Sequence, residues 1–246
     1  MAVTARSLGL LLPPSEGKAP GGDGQGWSPD LGQFSELALR RAQVVRALDA
    51  TGGGDERLLG VGGQHLIDAR LANSFLVGNP CLPAWRRYTG VVWGALDPAS
   101  LPVGVKRRAM SSVVIVSGLL GLATLGDPTP EYRLKIGASL APFGKLSTWW
   151  RPAVGEALTA WAGRRFIVDL LPNEHRAACS TARLHGVSVT LVERRVERAG
   201  KVAGHDAKAA KGRLARHLLI SGGHPLDALE SWVDPRFDLV VTPISR

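Results

Sequence analysis

The run Val113-Val114-Ile115-Val116-Ser117-Gly118 constrains this chain more than any other stretch. A strand with one wet face alternates apolar and polar residues. Four successive β-branched residues instead fit a strand buried on both faces, in a sheet covered by helices. Leu8-Gly9-Leu10-Leu11-Leu12, stopped by Pro13-Pro14, and Arg165 to Leu171 (RFIVDLL) read the same way, and Val187 to Val192 adds another strand.

Between these runs the spacing predicts helices. Ser28 reads as the N-cap of a helix from about Pro29 to Leu48, with Leu31, Phe34, Leu37, Leu39 and Val44-Val45 near helical spacing. Further helices are expected over Gln64 to Phe75 and Trp149 to Ala162, and from about Asp206 onward; Trp85 to Leu96 is helical or extended. Strands alternating with helices predict an α/β fold with a mixed, mainly central sheet flanked by helices. At 246 residues we read 1–246 as one α/β domain, with 220–246 as a C-terminal extension. Cys81 and Cys179 are too few for a cysteine metal site, and no metal or cofactor is expected. Leu8 to Leu12 is too short for a signal-peptide core, and no apolar run reaches membrane-span length, so the reading is cytoplasmic with no membrane partner.

Charge narrows the partners. Thirty Lys and Arg against 21 Asp and Glu give a net +9, a balance that attracts polyanions. Within residues 193–217, Arg194, Arg195, Arg198, Lys201, Lys208, Lys211, Arg213 and Arg216 face only Glu193, Glu197 and Asp206. On a helix, Lys208 with Lys211 or Gly212 and Arg216 share one face, where like charges repel by about a few tenths of a kcal/mol per pair. A bound polyanion offsets that cost; a solvated basic face is the other reading.

Several short motifs carry candidate chemistry. Pro14-Ser15-Glu16-Gly17-Lys18 follows the first strand, where open α/β sheets bind ligands, and its hydroxyl, glycine and ammonium suit phosphate or carboxylate. It is not a Walker A loop, because Ala19 stands where a hydroxyl would follow the Lys. Leu58 to His65 (LLGVGGQH) resembles the hairpin of helix-hairpin-helix DNA-binding elements, with Gly60 and Gly62 letting backbone amides approach phosphate. Residues 50–80 are assigned to that sub-element. Tyr132-Arg133-Leu134-Lys135 offers two cations near a strand end. After FIVDLL, Asn173-Glu174-His175 offers a carboxylate beside an imidazole; on an extended chain the two point opposite ways, which favours Glu174 alone as an acid/base.

Taken in order, these pieces resemble the peroxide stress protein YaaA family. The resemblance rests on PPSEGK, RYTGVVWGAL at 87–96, VSGLLGLATLGDPTPEYRLKIG at 116–137, LPNEH, and HDAKAAKG at 205–212. Its most specific part is SGLxG followed by YRLxxG, and it runs to about Leu219; the tail beyond Gly222 offers no further match. It implies a compact α/β fold with a positively charged cleft and a helix-hairpin-helix-like element, and a DNA-linked role in hydrogen peroxide defence. The polar positions that match are Ser15, Lys18, Tyr88, Thr89, Ser117, Tyr132, Arg133, Glu174, Lys208 and Lys211. The function expected is binding of the DNA phosphate backbone without sequence preference, by these residues with Arg216, Gly60 and Gly62. The alternative is an enzyme acting on a nucleotide or nucleobase, with Lys18, Arg133 and Lys211 holding phosphate and Glu174, with Lys18, doing the chemistry.

Overall fold

The computed structural model describes residues 7–180, 183–194 and 203–244. In chain order the strands are β1 (Leu8–Leu12), β2 (Leu82–Pro83), β3 (Val113–Ser117), β4 (Gly121–Thr124), β5 (Pro128–Thr129), β6 (Ser139–Leu140), β7 (Gly144–Lys145), β8 (Phe166–Asp169), β9 (Gly186–Glu193) and β10 (Phe237–Pro243). The helices are α1 (Ala38–Asp49), α2 (Glu56–Leu59), α3 (Gly63–Ser74), α4 (Ala84–Arg87), α5 (Val91–Leu96), α6 (Val103–Ser112), α7 (Leu146–Ala162), α8 (Asn173–Arg176), α9 (Ala203–Ser221) and α10 (Pro225–Glu230).

Six strands form one mixed sheet in the order β10-β9-β8-β1-β3-β4. The four inner strands are parallel, with Leu10 opposite Val113 on one side and Val168 on the other. The two edge strands run antiparallel to their neighbours. Every residue of β3, β4 and β8 is buried, as are Leu10, Leu11 and Leu12 of β1, as the unalternating runs require. Helix α6 covers β1, β3 and β4, while α9 packs on β9 and along α5. Gly212 makes that last contact possible: a Cβ there would stand 2.3 Å from the Val92 carbonyl oxygen.

The helix expected from Pro29 begins only at Ala38, after a 3-10 turn over Ser35–Leu37. Ser28 does not cap it: its hydroxyl donates to the Asp30 carboxylate inside a preceding turn, and Leu39 points to solvent. The strand expected over 165–171 is shorter, because Leu170 and Leu171 already leave the sheet toward α8. Helix α6 and strands β4 and β10 were not foreseen. In β10 mainly Phe237 is buried, so an edge strand gives little apolar signal. Arg195, Arg198 and Lys201 of the basic segment lie outside the described residues.

Two arginines are buried without being part of any site. Arg41 donates to the carbonyls of Leu120, Leu122, Pro29 and Leu31, and burial lowers its pKa to about 10. Arg87 donates to the carbonyls of Thr129, Ala19 and Pro80. Each ties loops to the sheet by collecting backbone acceptors that would otherwise lack donors.

Candidate functional site

From β1 the chain moves toward β3, and from the adjacent β8 it moves the other way, toward β9. Between the carboxyl ends of β1 and β8 the connections therefore diverge and leave a crevice, the place where open α/β sheets bind ligands. A cavity of about 690 Å³ lies there. Its walls are the post-β1 loop from Pro13 to Lys18, the start of α5, residues 133–136, the post-β8 segment from Leu171 to Arg176, part of β9, and the α9 residues Ala207, Lys208 and Lys211.

Lys18, Arg133, Lys135, Arg176, Lys208 and Lys211 line this cavity together with Glu16, Glu174 and His175. Residues far apart in sequence thus meet at one strand edge. Ser15 joins them and shapes the loop: its hydroxyl donates to the Gly17 carbonyl and accepts from the Thr89 backbone amide at 3.1 Å. The loop then pairs with residues 87–88 through a Lys18–Tyr88 bridge. The exposed Thr89 meets the loop by its backbone but does not line the cavity.

Lys18 Nζ donates to the Ser15 carbonyl at 2.9 Å and lies 4.2 Å from the centre of the Tyr132 ring. Burial and the neighbouring Arg133 cation lower its pKa to about 7. Beneath it, Tyr88, Tyr132 and Ser117 form a buried chain, with Tyr132 Oη 2.9 Å from Tyr88 Oη and 2.7 Å from Ser117 Oγ. The Ser117 oxygen also accepts the amides of Leu119 and Leu120, which fixes the turn after β3. These three hydroxyls lie under the cavity and do not line it.

Arg133 is set by Asn73, whose buried amide group donates to the Arg133 carbonyl and accepts its N–H, each at 2.9 Å. The guanidinium then reaches the Leu59 carbonyl and Glu16. Glu16 bridges Arg133 at 3.1 Å and Lys135 at 3.2 Å. Burial works to raise the Glu16 pKa, but Lys135, Arg133 and Lys208 outweigh it and hold the carboxyl below its usual range.

On the opposite wall, buried Asp169 at the end of β8 accepts from Arg176 at 2.6 Å and from the Leu171 amide, holding α8 against the strand. Lys211 donates to the Leu170 carbonyl; its burial, partly offset by Asp169, lowers its pKa to about 8. Among the described residues Glu174 has no hydrogen bond or ion pair, and it leans on Gly137, where a Cβ would stand 1.7 Å from Oε1. Glu174 and His175 both reach the cavity, which corrects the expectation that only one would. Residues 173–176 form a helical turn, and one residue turns the chain about 100° there rather than the half-turn of a strand. Burial and Lys211 lower the His175 pKa to about 4, so the ring is neutral.

Arg216 stands apart from Lys208 and Lys211. It donates to the carbonyls of Leu96, Asp97 and Ser100, closing the end of α5. Gly60 adopts φ 65° at the end of α2, and with Gly62 it turns the chain into α3; neither glycine lines the cavity. α2 is a single turn of four residues.

Sequence reasoning left out Glu16, Arg176 and Trp93, which also line the cavity. Glu16 sits inside the PPSEGK motif, and its role as a bridge depends on where Arg133 and Lys135 arrive. The strongest sequence motif also finds its reason here. A Cβ on Gly118 would lie 2.8 Å from the Leu134 carbonyl oxygen, so SGLxG and YRLxxG are spaced to let one backbone cross the other.

An open mixed α/β sheet with charged groups converging on a cavity between β1 and β8 defines the class, a mixed α/β protein with a cavity at its switch point. The chain belongs to the peroxide stress protein YaaA family, whose sequence model matches residues 10–239, well past Leu219 and into β10. It is 36% identical over 225 residues to a UPF0246 protein of Streptomyces coelicolor, covering 88% of this chain and 84% of that one. A UPF0246 protein of Corynebacterium glutamicum is 32% identical over 218 residues, covering 86% and 85%. No helix among the described residues is long and apolar enough to cross a membrane.

Proposed function

We propose that this protein serves peroxide-stress defence by binding DNA through phosphate, with the cavity between β1 and β8 as its basic cleft receiving one nucleotide-sized unit. The observation that carries this reading is the convergence of Arg133, Lys135, Lys208 and Lys211 on one cavity of about 690 Å³. Among the described residues that line it, the acids are Glu16 and Glu174, and Glu16 is already shared by Arg133 and Lys135. Lys208 makes no direct ion pair among the described residues, acts on Glu16 only through its charge, and adjoins Lys211, so a phosphate between them relieves like-charge repulsion. Contacts to phosphate and backbone rather than to base edges give affinity without sequence preference. The Gly60–Gly62 turn and α3 act as the accessory backbone contact of helix-hairpin-helix type, and Arg216 acts through the end of α5.

The test is titration of a labelled duplex, intact and with an unpaired nucleotide, at several salt concentrations. Log affinity is expected to fall against log salt by about 0.9 per phosphate neutralised. The unpaired site should bind more tightly, because its nucleotide enters the cavity at a lower unstacking cost. Absence of binding at low salt overturns the reading.

A second reading, catalysis on that unit, is favoured by one observation. The Glu174 carboxylate, unpaired among the described residues, a neutral His175 and the Lys18 amine line the same cavity as the cations. General acid/base work needs a proton donor or acceptor positioned within hydrogen-bond reach of the reacting group.

A further inference from the structure

Lys18 differs from the other cations of the cavity. Its nearest acid in sequence, Glu16, is engaged by Arg133 and Lys135, and among the described residues Lys18 makes no ion pair. Its Nζ is held instead by the Ser15 carbonyl at 2.9 Å and by the faces of Tyr132 at 4.2 Å and Tyr88 at 5.6 Å from the ring centres. Both rings are buried, Tyr132 held by the Ser117 hydroxyl and Tyr88 by the Tyr132 hydroxyl, so the amine rests on a fixed floor. An ammonium meant only to attract phosphate gains nothing from partial burial without a counterion. An amine meant to attack carbon gains its lone pair that way.

Two further observations point to a ligand. Among the described residues Trp93 Nε1 and His175 Nδ1 are buried without hydrogen-bond partners, and both residues line this cavity. Buried polar atoms are rarely left unpaired in a finished interior. A bound polar molecule would satisfy them.

We propose that Lys18 is a nucleophile, and that its amine condenses with the aldehyde carbon of a phosphate-bearing sugar, the ring-opened abasic unit of DNA. The inference rests on the phosphate-binding reading above and names the chemistry of the same site. An abasic unit brings the needed parts: phosphate for Arg133, Lys208 and Lys211, an electrophilic C1′ for Lys18, and no base to exclude from the cavity. The Nζ lone pair forms the C–N bond to C1′, and a proton passes from nitrogen to the carbonyl oxygen. The carbinolamine then takes one proton and loses water, leaving a protonated imine; no oxidant or reductant takes part. Burial and Arg133, which lower the Lys18 pKa to about 7, keep much of the amine unprotonated near neutral pH.

The experiment reduces any imine with sodium borohydride and locates it. The full chain is incubated separately with a duplex carrying one abasic site, with the same duplex carrying a reduced abasic analogue that has no aldehyde, and with 2-deoxyribose 5-phosphate. A covalent adduct is expected with the abasic duplex and with the sugar phosphate, none with the analogue, and the modified peptide contains Lys18. Lys18→Arg keeps the charge and is expected to lose the adduct, with circular dichroism checking that the variant is folded. An adduct only with the sugar phosphate, at Lys18 and without duplex binding, keeps Lys18 as the nucleophile and overturns the DNA reading. No adduct with either aldehyde, or an undiminished adduct in Lys18→Arg, overturns the proposal even where duplex binding is intact.

Discussion

Lys18 Nζ stands 4.2 Å from the centre of the Tyr132 ring, while the hydroxyl of that same ring is 2.7 Å from Ser117 at the end of β3. One tyrosine thus links the cavity to the sheet. Tyr132→Phe keeps the ring face under Lys18 but removes the central member of the Tyr88–Tyr132–Ser117 chain. Two buried hydroxyls then lose a shared partner, and the loss of stability should be about 1–3 kcal/mol in chemical denaturation. Ligand binding should change little. A large loss of binding with unchanged stability would contradict the supporting role given to that hydroxyl.

The lowered pKa of Lys18 has a definite consequence for stability. The folded protein holds the amine near 7 against an ordinary 10.5, so between those values the unfolded chain binds more protons. Stability contributed by this group therefore rises with pH from about 7 to about 10.5 and is flat below 7. Every tenfold difference in proton affinity between the folded and unfolded chains corresponds to about 1.4 kcal/mol. Lys18→Met should flatten the curve between about pH 7 and 8 and lessen its slope above 8, where Lys211, lowered to about 8, still contributes; denaturant midpoints measured across pH 6–10 check it.

Arg176 holds the buried Asp169 carboxylate at 2.6 Å and thereby holds α8. Arg176→Ala leaves that carboxylate, in a position 1% exposed, with the Leu171 amide and the Lys211 charge but without its ion-pair partner. We expect a cost of about 2–3 kcal/mol, below the full cost of breaking a deeply buried pair because Arg176 itself is part exposed. Melting followed by circular dichroism checks this.

Gly118→Ala places a methyl group 2.8 Å from the Leu134 carbonyl oxygen and 2.9 Å from the Lys135 carbonyl carbon. These are backbone atoms and cannot swing aside. The segment carrying Arg133 and Lys135 must shift, with a stability loss of about 1–3 kcal/mol and weaker duplex binding at low salt. Equal affinity in this variant would remove Arg133 and Lys135 from the proposed anion site.

Glu174→Gln separates binding from catalysis. A carboxylate in a phosphate-binding cavity repels its ligand, so the neutral amide should leave duplex affinity unchanged or raised. Where Glu174 takes a proton in a reaction, turnover should fall by about 10²- to 10⁴-fold with binding intact. Release of base, phosphate or cleaved strand from oxidised DNA and free nucleotides is the readout.

The sequence alone determined the three central strands of the sheet. Leu10-Leu11-Leu12, Val113 to Val116 and Phe166 to Val168 are apolar without alternation, and that pattern has one stable use, a strand covered on both faces. Those strands stand at the centre of the sheet, paired as neighbours. The motifs after β1 and β8 both line the cavity, because strand ends in an open α/β sheet are where side chains can converge. Local rules failed where local chemistry was not decisive. Ser28 turned its hydroxyl to Asp30 rather than to a helix, and the mostly exposed β10 carried too little apolar pattern to announce itself. Only the tertiary structure decided which charges meet. Glu16 joins Arg133 and Lys135, more than a hundred residues away, because Asn73 fixes the backbone of Arg133. Arg216 leaves the face it shares in sequence with Lys208 because the carbonyls ending α5 lie within its reach. Charge in a sequence sets how strongly a chain attracts anions, whereas the packing of backbones sets where those charges converge.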